Sequence, residues 1–398
     1  MKKIFFVSHD ASRSGAPMLL LHFIRWLKVN TNIPFQIILK TGGVLEPEFQ
    51  LLGPVINISR EVEKEYAQVA QFMKRILHRL APKKFPKPNL QTVVFNRLKK
   101  RLRQEDIGLI YSNTITNGEV LELLEDINAP IITHVHELGH AINLYFSQDN
   151  IAQIKRHTHY YIAAAEAVKD NLISSQKIAS NKIDVIHGFI PIQHNSSTEY
   201  IENNHFLRKH LNISQETLIV GASGTTEWRK GADLFILLAR TVHSRKLNIP
   251  VHFVWVGSHS NETYLSELLY DVKQANLEEY VHFLGSKPNP LDYFRDFDIF
   301  TLLSREDPFP LVVLEAASLG KPIICFDKAG GAKELVENDC GFVVPYLDIE
   351  AIADKVLMLS DSKNLRQKLG QCAAQKVAQR YSIDKSASKI LALIKRLM

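Results

Sequence analysis

Cysteine and long apolar runs are scarce in this chain of 398 residues. Its three cysteines, Cys325, Cys340 and Cys372, show no spacing typical of a metal site or a disulfide framework. No apolar run reaches the roughly 18 residues of a transmembrane helix. The apolar part of the N-terminal sequence MKKIFFVSHD is also shorter than that of a signal peptide. We therefore expect reduced cysteines in a cytoplasmic protein.

The chain also lacks the GxGxxG fingerprint of dinucleotide-binding folds. The loop after the first apolar segment reads HDASRSGA, from His9 to Ala16. It joins a predicted strand to a predicted helix, which is where backbone amides bind phosphate in many α/β proteins. The absence of this fingerprint disfavours a nicotinamide site. Two interpretations of the loop remain open: a phosphate-binding loop or a plain strand-to-helix turn.

Acidic residues are missing from one segment. The range Lys74–Arg103 holds eleven Lys and Arg residues and no Asp or Glu, whereas the whole chain has a net charge of only +6. The positive charge is therefore concentrated in this segment and is not a property of the whole chain. This basic, partly aromatic and amphipathic segment predicts contact with an anionic membrane surface, at the inner face of the membrane. A solvated basic loop is the alternative, and no recognition motif supports nucleic acid.

Apolar strands alternate with helical patterns twice along the chain, which predicts an α/β fold with two parallel, doubly wound sheets. Parallel sheets bind ligands at the carboxyl ends of their strands, so we expect the two Rossmann-like domains to face a central cleft. The predicted organisation is an N-terminal domain over residues 1–190, a linker over 191–217, a C-terminal domain over 218–361, and C-terminal helices over 362–398 that pack back toward the first domain.

Two carboxylates frame a predicted strand–loop–helix in the segment SREDPFPLVVLEAASLG. Asp307 lies in the loop and Glu315, eight positions later, lies on the helix. Free amides and the helix dipole favour an anion at such a helix start. Earlier, the loop GASGTTEWRKG ends in Lys230, a point charge suited to a diphosphate.

These segments resemble those of the retaining family 4 glycosyltransferases, which have the two-domain GT-B fold. The likeness covers nearly the whole chain: Asp307 and Glu315 match the E-x7-E segment, Lys230-Gly231 matches the family's K-G, and the sequence AGGAKE matches its G-G-x-x-E. It implies transfer of a sugar from a nucleoside-diphosphate sugar to a hydroxyl of a glycan or lipid-linked acceptor, in surface polysaccharide or glycolipid synthesis, without a metal or other cofactor.

The resemblance also implies roles for single residues. Lys230 and Asp307 are candidate catalytic groups, with Asp307 at the hydroxyls of the transferred sugar, and His136 fits a histidine near the sugar and acceptor. Glu315 is the candidate for the donor ribose. The remaining candidates are, for the donor, Gly15, Arg229, Phe309, Leu311 and Val312, and, for the acceptor, Ser14, Asn113 and His134.

The chain departs from the family pattern at three points. Asp307 replaces the first Glu, Thr225 stands where the family has an Arg, and Pro308 and Pro310 flank Phe309 where Gly is frequent. Arg229 is a candidate to supply the missing charge. These departures sustain a second hypothesis, a catalytically inactive homologue that acts as a partner subunit. A nucleotide-sugar epimerase is a third.

Two histidines, His134 and His136, are separated by one residue and so point to the same side of a predicted strand. This arrangement suits a metal ion, but the sequence offers no third ligand nearby. We therefore expect no metal there.

Overall fold

The computed structural model describes residues 2–77, 90–191 and 206–398. These residues form two compact units. The N-terminal unit comprises Met1–Ala164, Asn171–Ile186 and Ala387–Met398, and the C-terminal unit comprises Ala165–Asp170 and His187–Ser386. Each unit is built on its own parallel sheet.

The sheet of the N-terminal unit has the strand order β3-β2-β1-β4-β5-β6-β7, and all its strand pairs are parallel. Helices cover both faces of such a sheet, which explains why its central strands are continuous apolar runs. The strands are β1 (Lys3–Ser8), β2 (Phe35–Leu39), β3 (Val55–Asn57), β4 (Ile107–Ser112), β5 (Ile131–Val135), β6 (Tyr160–Ala163) and β7 (Ile183–Val185).

Helices alternate with these strands along the chain. They are α1 (Gly15–Asn30), α2 (Glu46–Leu52), α3 (Ile58–Leu77), α4 (Leu90–Leu102), α5 (Gly118–Leu123), α6 (Gly139–Tyr145), α7 (Gln148–His157) and α8 (Glu166–Ser174), of which α8 begins in the C-terminal unit.

The C-terminal unit has the strand order β10-β9-β8-β11-β12-β13, again with parallel pairs. Its strands are β8 (Leu218–Ser223), β9 (Val251–Val256), β10 (Val281–Phe283), β11 (Ile299–Leu302), β12 (Ile323–Phe326) and β13 (Gly341–Val344). Its helices are α9 (Phe206–Leu211), α10 (Ala232–His243), α11 (Glu262–Gln274), α12 (Pro290–Phe294), α13 (Leu311–Ser318), α14 (Ala332–Val336), α15 (Ile349–Ser360) and α16 (Lys363–Arg380). The last helix, α17 (Ile383–Leu397), begins in this unit, and its residues from Ala387 onward belong to the N-terminal unit.

Strand order reverses direction once in each sheet, between β1 and β4 and between β8 and β11. Loops that leave neighbouring strands on opposite faces diverge there, so residues at this switch point have room for a ligand. Most of the predicted site residues follow these strands. The structure confirms the predicted fold class of two doubly wound parallel sheets.

The predicted strands match the observed ones closely, with one omission, the three-residue strand β3. Helical periodicity in the sequence predicts a helix over Val62–Leu80. The observed helix α3 begins earlier, at Ile58, and residues 78–80 lie outside the described ranges. Part of the predicted linker also lies outside them, at 192–205. Among the helices of the described ranges, none combines the length with the apolar character that a membrane span requires.

The turn before α10 requires glycine at position 231. Gly231 has φ = 77°, and a Cβ built there would lie 2.1 Å from the carbonyl oxygen of Leu303. This residue therefore lets the loop after β8 approach β11 closely. Gly15, at the start of α1, differs because a Cβ there would meet nothing within 4 Å.

We expect Gly231→Ala to lower the free energy of unfolding by at least about 2 kcal/mol, through a left-handed backbone and a steric clash. This should reduce the melting temperature by roughly 5 °C or more in calorimetry. Gly15→Ala is the matched control and should keep or slightly raise the melting temperature. Equal melting temperatures for the two variants would contradict this account.

Candidate functional site

Lys230 and Asp307 form an ion pair at the switch point of the C-terminal sheet. Lys230 Nζ lies 2.5 Å from Asp307 Oδ2, and Ser304 Oγ donates to the same oxygen at 3.2 Å. Lys230 comes from the loop after β8, whereas Ser304 and Asp307 come from the loop after β11. The structure thus brings together two sequence-predicted residues that are 77 positions apart.

The backbone around Asp307 is fixed by the loop after β12. The amide of Asp307 donates to the carbonyl of Ala329 at 2.7 Å, and the amide of Gly331 donates to Pro308 O at 2.9 Å. A Cβ at Gly331 would lie 2.4 Å from Pro308 O. Here glycine permits a close approach between two loops, which holds Asp307 in position.

Phe309 is buried between the two prolines. Its ring packs near those of His187 and Tyr381, with centroids at 5.1 and 5.4 Å. The Phe309 side chain is therefore an anchor for the loop. Only its backbone amide is left as a candidate for donor binding.

Three backbone amides at the start of α13 have no acceptor among the residues that the structure describes: those of Phe309, Leu311 and Val312. Pro308 and Pro310 contribute none because proline has no N–H. Free amides and the positive end of the helix dipole coincide here, which favours an anion. The structure places all three predicted amides in the same turn.

The Arg229 side chain makes hydrogen bonds to nearby residues of the C-terminal unit. Its guanidinium donates to Glu306 O at 2.9 Å and to Glu227 Oε1 at 2.8 Å. Thr225, which replaces the family arginine, pairs with Ser258 through their hydroxyls at 3.1 Å. The charge of Arg229 is thus partly offset by Glu227, and its predicted role toward a diphosphate stays a prediction.

Glu315 lies on α13 and is half-buried. No group in the described residues donates a hydrogen bond to its carboxylate. Burial raises the pKa of Glu315 to about 7, because a carboxylate away from water loses solvation that nothing replaces. An unmatched carboxylate of this kind is suited to accept hydrogen bonds from a ligand's hydroxyls.

In the N-terminal unit, Asn113 and His136 meet at the ends of β4 and β5. Asn113 Nδ2 donates to Ala16 O at 2.7 Å, so its Oδ1 faces His136 Nε2 at 3.2 Å. Since an amide oxygen only accepts, His136 Nε2 carries the proton and Nδ1 is the acceptor. The structure therefore brings these two predicted residues together beside the start of α1.

Both predicted histidines are neutral at physiological pH. Burial, with a smaller effect of His9, lowers the pKa of His136 to about 3. Burial and the neighbouring His136 hold the pKa of His134 well below its usual value. A base with a pKa of about 3 is too weak for general-base catalysis near neutral pH, so His136 is suited to hydrogen bonding instead.

His134 is fully buried, and Tyr111 Oη lies 2.7 Å from its Nδ1. Its ring centroid is 4.0 Å from that of His136, so it supports His136 from the interior. In the described part of the chain, no three His, Cys, Asp or Glu side chains are grouped as metal ligands would be.

The loop before α1 is organised by Asp10, whose Oδ1 accepts from the amide and the hydroxyl of Ser12 at 3.0 and 2.9 Å. Ser12 Oγ in turn lies 2.9 Å from Ser14 Oγ. Ser14 and Gly15 are exposed at the start of α1, and the Ser14 side chain makes no capping hydrogen bond to that helix. Both predicted residues are accessible to a ligand.

Much of the charge in the described part of the basic segment is paired. Residues 78–89 lie outside the described ranges. Near the segment's end, four cations each meet a carboxylate of the same unit: Arg97 with Glu65, Lys99 with Glu125, Arg101 with Glu61, and Arg103 with Asp126. These pairs reduce the positive potential expected from the sequence.

Sequence reasoning missed several residues that hold the site together. Ser304 binds Asp307, and Glu137 accepts from the amides of Ile115 and His136 at 3.3 and 2.9 Å. The available signal is a polar residue two positions past the end of a buried strand, and both residues fit it. Nothing in the sequence shows which atoms they contact.

The fold is the GT-B fold of glycosyltransferases. HepE from Anabaena, solved in complex with UDP-glucose, superposes with a TM-score of 0.79 at 20% identity, over 100% of both chains. Two family descriptions match the sequence, "Glycosyl transferases group 1" over residues 203–376 and "Glycosyltransferase Family 4" over residues 57–194. Between them they match most of the chain, which belongs to the family 4 glycosyltransferases.

Curated relatives are distant. The capsular polysaccharide biosynthesis glycosyltransferase CapM of Staphylococcus aureus is 23% identical over 56% of this chain and 57% of its own length. The N,N'-diacetylbacillosaminyl-diphospho-undecaprenol alpha-1,3-N-acetylgalactosaminyltransferase of Campylobacter jejuni is 26% identical over 56% of each chain. The alignments thus span little more than half of these relatives.

We expect Glu315→Gln to stabilise the ligand-free protein at pH 8. The raised pKa means that the folded state binds this proton more tightly, so stability falls as pH rises from about 4.5 through about 7. Removing the charge should add on the order of 1–3 kcal/mol at pH 8 and nothing near pH 4. Melting curves at both pH values test this. Glu278→Gln, at an exposed position, is the control and should change the stability little at either pH. An equal gain in stability for Glu315→Gln at both pH values would contradict the raised pKa of Glu315.

Proposed function

We propose that this protein is a retaining glycosyltransferase that moves a sugar from a nucleoside-diphosphate sugar to a hydroxyl of a glycan or lipid-linked acceptor. The observation that carries the proposal is the group formed by Lys230, Asp307 and the free amides at the start of α13. A cation and helix amides suit a diphosphate, and a carboxylate suits sugar hydroxyls. The resemblance to the family 4 motifs supports the roles proposed for them below.

Departure of the diphosphate develops negative charge, which preorganised donors stabilise most in the transition state. Lys230 Nζ and the amides of Phe309, Leu311 and Val312 supply those donors in the proposed reaction. Glu315 accepts from the ribose hydroxyls and Asp307 from the transferred sugar. The acceptor attacks on the face that the diphosphate leaves, so the anomeric configuration is kept.

The neutral groups of the N-terminal unit suit the acceptor side. His136 Nδ1 is a hydrogen-bond acceptor, and Ser14 offers an exposed hydroxyl. These groups can orient the acceptor hydroxyl, but none of them is proposed to deprotonate it. In this scheme the departing phosphate takes the proton. The scheme requires no metal.

A uridine nucleotide is the proposed donor, since the superposing HepE was solved with UDP-glucose. A cytoplasmic location at the inner face of a membrane is proposed from the basic segment and from the relative named for an undecaprenol-linked substrate. Because four of the described cations are paired, this membrane contact depends mainly on the basic residues from 74 to 87.

Nucleotide binding is the first test. UDP at about 100 times its dissociation constant should stabilise the protein by roughly 2.7 kcal/mol. GDP, ADP and dTDP should give smaller shifts in melting temperature. Lys230→Ala should lose most of the UDP-induced shift, whereas Lys273→Ala, an exposed lysine on α11, should keep it.

Removing Lys230 leaves the Asp307 carboxylate buried without a partner, which destabilises the fold by itself. The ligand-induced shift, and not the melting temperature, is therefore the quantity to compare. Lys230→Ala combined with Asp307→Asn removes that penalty and should still fail to respond to UDP. A full UDP response in this double variant would reject the role of Lys230.

An inactive partner subunit is the second candidate. It is favoured by the Lys230–Asp307 pair, in which each group already satisfies the other, and by Thr225 in the place of the family arginine. In that case none of the four nucleotides would shift the melting temperature.

Thr225→Arg separates the two candidates further. In a working transferase, an added cation in this loop should raise UDP affinity severalfold, because charge-assisted bonds to phosphate are among the strong ones. Thr225→Gln is the neutral control. Calorimetric titration with UDP that finds no binding by either variant would favour the partner subunit.

A further inference from the structure

An open groove of about 590 Å³ lies on the C-terminal unit, beside the loop that ends in Lys230. It belongs to none of the predicted donor or acceptor positions. Aromatic, hydroxyl, amide and carboxylate side chains line it together: Glu227, Trp228, Ser260, Asn261, Thr263, Tyr264 and Glu267.

Trp228 is the unusual member, because 52% of the surface of this large residue is exposed. Arg305 holds the ring in place: its guanidinium lies 4.7 Å from the ring centroid and donates to Trp228 O at 2.5 Å. Both oxygens of Asp233 fix that guanidinium, at 2.9 and 2.7 Å. The indole is thus a braced platform, which costs little conformational entropy when a flat ligand stacks on it.

The walls of the groove offer hydrogen-bonding groups of both kinds. Asn261 Oδ1 accepts from the amide of Tyr264 at 2.7 Å, which orients its NH2 group as the donor side. Ser260 and Thr263 add hydroxyls. Glu267 adds an exposed carboxylate, which accepts from hydroxyl groups.

The charge of the groove disfavours anions. Glu227 is paired with Arg229 and Asp233 with Arg305, so Glu267 is the lining carboxylate without an ion pair among the described residues. Burial raises the pKa of the Tyr264 hydroxyl to about 12; Asp233, Glu267 and Glu227 add to that shift, and Arg305 opposes it. The exposed Glu267 carboxylate therefore disfavours a phosphate or an acidic sugar, which argues against a nucleotide on the Trp228 ring.

We propose that this groove binds an uncharged pyranose residue of a glycan, with the C–H face of the sugar on Trp228. A pyranose ring carries apolar C–H groups on its faces and hydroxyls around its edge. The groove has the matching arrangement of one aromatic face and a polar rim. If the proposed function holds, the natural occupant is a sugar of the acceptor glycan, away from the reacting hydroxyl.

Fluorine NMR of the full chain labelled with 5-fluorotryptophan tests the proposal directly. The protein has three tryptophans, and the Trp228→Phe variant assigns the Trp228 resonance. Titration with maltotriose, cellotriose and N,N',N''-triacetylchitotriose should give, for at least one of them, a saturable shift of that resonance. Trigalacturonate, the anionic probe, should give none.

Two variants probe the walls of the groove. Trp228→Ala should weaken binding of the responding sugar about tenfold, measured by calorimetric titration, and Glu267→Ala severalfold. Tyr270→Ala removes an exposed ring on the same helix, α11, that does not line the groove, and should leave the affinity unchanged. UDP affinity, measured in parallel, should persist in all three variants.

Three outcomes of these titrations distinguish a sugar site from a donor site. No saturable shift with any of the three neutral sugars would overturn the proposal. A shift of the Trp228 resonance with UDP instead would assign the groove to the donor and overturn it as well. Sugar binding without any UDP response would support the groove while contradicting the proposed transferase.

Discussion

The candidate donor site of the C-terminal unit depends on one buried ion pair, Lys230 with Asp307. Only 17% and 7% of these two side chains are exposed, so solvation lost by both charges offsets much of their attraction. Such a pair adds little net stability. Its effect is positional: it fixes a cation from the loop after β8 against a carboxylate from the loop after β11. Gly231 sets how closely the loop after β8 approaches β11, and the Asp307–Ala329 hydrogen bond ties the loop after β11 to the loop after β12.

The two units differ in the charge of the groups at their strand ends. The C-terminal unit holds a lysine, two carboxylates and a helix start, which together suit a charged ligand. The N-terminal unit holds Asn113 and two histidines that burial keeps neutral. The groups of the C-terminal unit therefore suit the charged diphosphate of the proposed donor, whereas those of the N-terminal unit suit an uncharged hydroxyl.

The fold and much of the C-terminal site were predictable from the sequence, whereas the details of the contacts were not. Buried parallel strands are continuous apolar runs, and the loops after them carry the motif residues, so β8 to β13 and Lys230, Asp307 and Glu315 follow from pattern and resemblance. The short strand β3, in contrast, was not predicted from the sequence. The pairing of Lys230 with Asp307, the bonds of Arg229 and the paired cations from Arg97 to Arg103 depend on contacts between distant segments, which local patterns do not encode.

The aspartate at position 307 has a consequence for the proposed donor. A diphosphate that recruits Lys230 removes the main partner of Asp307 and leaves Ser304 as the remaining donor to Oδ2. An unsatisfied buried carboxylate is costly, so a bare nucleoside diphosphate gains from Lys230 while it destabilises Asp307. A nucleotide that carries a sugar supplies hydroxyls to that carboxylate and offsets this cost. In the proposed donor complex, the pair thus couples recognition of the phosphate to recognition of the sugar, which favours the complete donor over the nucleotide alone.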